Sequence, residues 1–104
     1  MSLLVTGAMG HVCLWVARRA AVEGRRVIAA YRTTFQRADA ASVGDSATWV
    51  SCDLADPAAV DGIAAAHDID SCIHLASVSN EAYARPRPLA AVQANVGATA
   101  NLLE

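Results

Sequence analysis

Lysine is missing from the sequence: all eight basic residues are arginine, set against ten Asp and Glu for a formal net charge of −2. That balance leaves no basic footprint for nucleic acid or an anionic membrane, so neither is expected as a partner. Neither tyrosine has a lysine four residues on, since Phe35 follows Tyr31 and Arg87 follows Tyr83 at that spacing. Tyr83 and Arg87 stand four apart but make no proton-relay pair, because arginine does not give up its proton. No apolar run reaches membrane-spanning length, and the chain opens on strand-like residues without a basic leader, from which a cytoplasmic protein is expected. Cysteine is scarce: Cys13, Cys52 and Cys72 are widely spaced in apolar segments. An odd, scattered set suits reduced core thiols better than a disulfide framework or a zinc site. Cys13, near a helix start, keeps a minor second reading as a redox-sensing thiol of lowered pKa. His11 and His67 share no ligand-like spacing, so no metal site is expected.

What is present is one small domain of 104 residues, 55% hydrophobic and 17% charged, a composition that excludes disorder. The stretch from Val5 to Cys13 (Val-Thr-Gly-Ala-Met-Gly-His-Val-Cys) follows an apolar run and opens an apolar-periodic one, as a strand-to-helix turn does. In a dinucleotide-binding turn the first glycine permits the bend and the second lets backbone amides approach a pyrophosphate. The third small residue lets the helix pack on the strand, and the anion rests on the helix N-terminus.

The chain alternates. Leu3–Val5 reads as a strand and His11–Val22 as a helix with Val12, Cys13, Val16, Ala17 and Ala20 inward, stopped at Gly24. Arg26–Tyr31 reads as a strand buried on both faces. Residues 32–46 carry little periodicity, and 48–52 form a third strand. Asp56-Pro57 caps a helix with Val60, Ile63, Ala64 and His67 on one face. Residues 71–76 make a fourth strand, with His74 expected as a hydrogen-bonded core histidine. Residues 77–88 form a loop, in which Arg85 and Arg87 are solvated. Residues 89–104 are a last helix, with Leu89, Val92, Val96, Thr99 and Leu103 inward. This pattern predicts an α/β, Rossmann-like, doubly wound parallel sheet. Right-handed crossovers place its strands in the order 3-2-1-4, so the glycine turn lies at the switch point where ligands bind.

Four stretches then carry a resemblance: Thr6-Gly7-Ala8-Met9-Gly10, Cys52-Asp53-Leu54-Ala55-Asp56, Ile73-His74-Leu75-Ala76-Ser77, and the run from Asn95 to Glu104 (Asn-Val-Gly-Ala-Thr-Ala-Asn-Leu-Leu-Glu). In this order they resemble motifs of the extended short-chain dehydrogenase/reductase family, the NAD(P)-dependent epimerases, dehydratases and reductases. The resemblance implies that Gly7, Gly10, His11 and Val12 line the pyrophosphate through their amides. It implies that Asp53 accepts from the adenine amino group while Leu54 packs on the ring. Leu75, Ala76 and Ser77 pass beneath the ribose and nicotinamide side, and Asn95 helps hold that loop or the cofactor.

Two departures from the family pattern bear on this. Cys13 stands where glycine or alanine is usual, and overpacking there costs roughly 1–3 kcal/mol, so a small displacement of the helix is expected. Tyr31-Arg32 stands where members that prefer NAD have an acid for the ribose 2′-hydroxyl; an arginine there pairs with a 2′-phosphate, so NADP is expected in preference to NAD. The family's Tyr-x-x-x-Lys lies beyond the last helix, so residues 1–104 are expected to be the N-terminal portion of the NAD(P)-binding domain, without the catalytic region or a substrate domain. Proton transfer by such a pair is worth typically 10²–10⁴ in rate, so turnover by this chain alone is not expected. The fourth strand is then an edge, which invites a homo-oligomer or a partner chain. Two other readings stand beside the enzyme portion: a dinucleotide-binding sensor without chemistry, and a structural fragment that pairs through that edge.

Overall fold

The computed structural model describes residues 2–7, 11–32, 37–76 and 84–104 of the chain. Its first strand, β1 (Ser2–Thr6), is buried along its whole length because helices lie on both faces of it. Leu3 and Val5 enter one cluster with Val27 and Ala29 of β2 (Arg26–Tyr31), Ala17 and Ala20 of α1 (His11–Val22), and Val43 of α2 (Arg37–Val43). Leu4 turns the other way, to Ile28 and Ala30 of β2 and to Ile63 of α3 (Pro57–Ala66). Side chains alternate along both strands, but the alternation is hidden in the sequence because each face meets a core.

With β3 (Ala47–Ser51) and β4 (Ile69–His74) the strands form one parallel sheet in the expected order β3-β2-β1-β4. The expected limits of α1 and β2 hold. α1 stops at Gly24, whose φ of +82° suits the left-handed stop that a helix C-terminus takes; the Arg25 amide bonds back to Ala20 O at 3.0 Å. The Asp56 side chain caps α3 through the Ala58 amide at 3.1 Å, with Pro57 in the first turn.

Five expectations are corrected. α2 fills part of the stretch read as aperiodic, and among its described side chains the buried ones are the i, i+3 pair Ala40 and Val43. A parallel crossover needs a covering element, and two apolar anchors suffice for so short a helix. In α1 the buried side chains are Cys13, Ala17 and Ala20; Val12 is 61% exposed. In α3 Ala64 is exposed, leaving Ile63 as the buried contact.

The last helix has the wrong face assigned. It runs as α4 (Pro88–Val92), a π-helical turn (Gln93–Gly97) and α5 (Ala98–Leu103). Its covered side chains are Ala91, Ala94, Asn95, Ala98, Asn101 and Leu102, whereas Leu89, Val92, Val96, Thr99 and Leu103 are exposed. A π turn takes up an extra residue and rotates the face that follows. The helix also approaches α3 with small side chains, Ala98 beside Ile63, so size was a poor guide to which residues face inward. Finally, β4 is at the end of the sheet, with Asp70, Ser71, Cys72 and Ile73 all exposed. Cys72 is therefore not a core thiol, while Cys13 and Cys52 are buried.

Candidate functional site

After β1 the chain crosses to α1 on one face of the sheet, and after β4 it reaches α5 on the opposite face. The two connections diverge at the carboxyl ends of neighbouring strands, which is the geometry of a switch-point crevice. Tyr31 ends β2, and Gly7, Arg32, Asp53-Leu54 and Leu75-Ala76 follow the carboxyl ends of their strands, so the sheet brings these predicted stretches to one rim. Gly10 and Ser77 lie outside the described residues, as do Tyr83 and the His11 side chain.

Gly7 has φ +67°, and a Cβ built there falls 2.9 Å from Ala76 Cα and 3.0 Å from Ala76 N. Both the backbone angle and the approach of the chain leaving β4 therefore require glycine. That approach is held by Thr6. Its Oγ1 is 2.7 Å from His74 Nδ1 and accepts from the amides of Leu75 at 3.0 Å and Ala76 at 3.2 Å. Thr6 is fully buried, and the register sets it directly opposite His74. It is the residue that sequence reasoning missed: a lone hydroxyl ending a buried apolar strand, across from a histidine, was the available signal.

Around the rim, the Cys52 amide bonds to Tyr31 O at 2.8 Å and Ser51 Oγ donates to Arg32 O at 3.1 Å, tying the end of β2 to that of β3. Arg32 is exposed and Tyr31 half-buried. Asp53 is exposed, and its Oδ1 accepts from the Ala55 amide at 3.0 Å, a local turn that fixes the carboxylate's direction. Leu54 is buried against Leu4, Ile28, Ile63 and Ala98. Its carbonyl accepts from Asn101 Nδ2 at 2.8 Å, so α5 anchors this loop through a residue given no role from sequence. Asn95 lies within the π turn, and its carbonyl accepts from Thr99 Oγ1 at 2.8 Å.

Burial shifts four titratable groups, raising the thiols Cys13, Cys52 and Cys72 and lowering His74, and two of them bear on the readings above. Cys13 has its pKa raised, because desolvation outweighs the backbone hydrogen bond that lowers it, the opposite direction from the low-pKa redox reading. Burial lowers the pKa of His74 below its ordinary 6.5. As the pH falls, the unfolded chain takes up this proton before the folded one does. The stability tied to neutral His74 is accordingly complete above the ordinary value and is lost as the pH falls through it towards the lower folded value. Urea midpoints measured from about pH 8 down to about pH 5 should fall more steeply in the wild type than in His74→Asn. Parallel curves would show that His74 is not the titrating group.

No group of three or more His, Cys, Asp or Glu among the described residues is placed to hold a metal ion. No helix among them is long and apolar enough to cross a membrane.

Residues 3–104 match the profile of the NAD dependent epimerase/dehydratase family. Among solved structures, Pal from Bacillus thuringiensis superposes with a TM-score of 0.88 at 23% identity, over 99% of this chain and 34% of that one. The UDP-glucose-4-epimerase from Stenotrophomonas maltophila, solved with NAD and formylated UDP-arabinopyranose, gives 0.84 at 21% identity, over 99% and 32%. L-threonine dehydrogenase from Clostridium difficile gives 0.79 at 29% identity, over 96% and 31%. The chain thus spans about a third of the length of these proteins. No curated protein sequence matches it.

Proposed function

The chain belongs to the NAD-dependent epimerase/dehydratase family, and from that premise we propose that it is the coenzyme-binding portion of an NADP-linked epimerase, dehydratase or reductase acting on a small or sugar-like substrate. The observation that carries the reading is Gly7, held at φ +67° with no room for a Cβ, at the switch point between β1 and β4. Glycine puts no side chain of its own on the backbone at that position, as amides that meet a diphosphate require. α1 has no acidic side chain in its first turn, so nothing on that turn cancels the positive end of the helix.

In this reading Gly7, Gly10, His11 and Val12 receive the diphosphate. The exposure of Val12, which removes it from the core, fits that place. Asp53, oriented by its own turn, accepts from the adenine amino group, and Leu54, whose side chain is rooted in the core, packs on the ring. Leu75, Ala76 and Ser77 pass beneath the ribose and nicotinamide side, and Asn95 helps hold that loop or the coenzyme. The bound coenzyme supplies hydride acceptance and return. Residues 1–104 contribute binding and orientation; the proton-transferring pair is supplied by sequence outside them. The outer edge of β4, which has no strand partner among the described residues, receives a further strand or a second chain.

Coenzyme choice rests on Arg32, exposed at the end of β2 with no carboxylate at the adjoining Tyr31 or Ser51. A charge-assisted contact to a 2′-phosphate is worth roughly 1.5–3 kcal/mol, or about 10–150-fold in affinity. Calorimetric titration should therefore give tighter binding of NADP than of NAD, and Arg32→Ala should abolish the difference while leaving NAD affinity unchanged. Equal affinities in the wild type would remove the preference for NADP. Binding of neither coenzyme would remove the whole reading.

A further inference from the structure

Thr6 has a complete hydrogen-bond account. A threonine hydroxyl offers one proton and two lone pairs. The Leu75 and Ala76 amides, at 3.0 and 3.2 Å, are donors only and occupy both lone pairs. The hydroxyl proton then goes to the one remaining hydrogen-bond partner among the described residues, His74 Nδ1 at 2.7 Å. It follows that Nδ1 is an acceptor, and that the proton of the neutral ring is on Nε2.

We propose that His74 is a positioning residue for the coenzyme site: by accepting the Thr6 hydroxyl proton it reserves the Thr6 oxygen for two consecutive amides and so holds the Leu75–Ala76 backbone against Gly7. Without an acceptor at that point, the hydroxyl proton has to turn into one of the lone-pair directions and displaces an amide. The displaced peptide is the one whose Cα stands 2.9 Å from where a Cβ of Gly7 would be, so small movements there alter the rim at both strands. His74 itself need not touch the coenzyme. Its influence on binding rests on the reading that Gly7, Leu75 and Ala76 border that ligand; its influence on the two amides does not.

Three measurements on isotopically labelled protein test this. In the wild type, the ring ¹⁵N shifts of His74 should show an unprotonated Nδ1 and a protonated Nε2; the opposite tautomer overturns the proposal without any mutation. In His74→Phe, which keeps a planar ring and loses the acceptor, the Leu75 and Ala76 amides should exchange with solvent about tenfold faster, while those of Val5 and Ile28 keep their wild-type rates. NADP affinity should fall by a similar factor of about ten. In His74→Asn, whose side-chain oxygen is placed one bond beyond Cγ as Nδ1 is, exchange and affinity should both return to within about twofold of wild type. Unchanged exchange in His74→Phe, or an Asn variant as impaired as Phe, overturns it. If the wild type binds no dinucleotide, the coenzyme reading fails while the tautomer and the exchange rates still decide the role of His74.

Discussion

Gly7→Ala is expected to cost about 2–6 kcal/mol, the sum of roughly 1–3 kcal/mol for a side chain in the left-handed region and roughly 1–3 kcal/mol for forcing apart a closely packed contact. The methyl group meets backbone, Ala76 Cα at 2.9 Å and Leu75 C at 3.2 Å, so no side-chain rotation relieves it. Small domains have only about 5–15 kcal/mol of stability in total. The variant should therefore unfold at much lower urea concentration, and whatever remains folded should bind neither NADP nor NAD. Gly24→Ala supplies the contrast. Gly24 also has a positive φ, +82°, but a Cβ there meets nothing within 4 Å. Its cost should be confined to the backbone term, about 1–3 kcal/mol, with coenzyme affinity retained. Equal losses in the two variants would mean that the approach of Ala76 to Gly7 carries no weight.

The second large effect is expected at Thr6. Thr6→Val preserves shape and removes the oxygen that serves two amides and a histidine. Each donor or acceptor left without a partner costs about 1–3 kcal/mol, and Leu75 and Ala76 are only half-buried, so part of their loss is recovered from water; a net destabilisation of about 2–4 kcal/mol is expected. Thr6→Ser keeps the oxygen and loses one methyl group, for about 1 kcal/mol. Urea unfolding with unchanged m-values distinguishes the two: a Val variant no weaker than the Ser variant would show the hydroxyl to be dispensable.

How much of this was legible in the sequence depended on whether a residue's role was fixed by its neighbours in the chain or by partners far along it. α1 and β2 were bounded correctly because Gly24 and the charged residues flanking Arg26–Tyr31 act locally. Strand order followed from handedness, which is general. The inner face of the last helix was misread because large apolar residues were taken to point inward. The residues of the last helix that join the cluster around Ile63 are Leu102 and the small Ala98, and the π turn shifts the phase midway along the helix. Val12 and Cys72 were misplaced for a related reason: an apolar residue at a helix start or on an end strand lacks a second layer to cover it.

The candidate site divides the same way. Its positions along the rim were legible, since each ends a strand or follows its end. The contacts that fix the rim were not, because they join residues 47 to 70 positions apart: Asn101 with Leu54, and Thr6 with His74, Leu75 and Ala76. Hydrophobic patterning reports which face of a strand is covered, and it is silent about which lone pair meets which amide.

The burial of β1 and β2 on both faces has a further consequence for how the protein finds its native pairing. A slip by one residue moves each apolar side chain from one cluster to the other, where it is nearly as welcome, so apolarity alone scarcely tells the true alignment from its neighbours. A slip would, however, carry the Thr6 hydroxyl away from the two amides and the imidazole that satisfy it. A single oxygen thereby acts as the key that makes one alignment of the central strands cheaper than the rest.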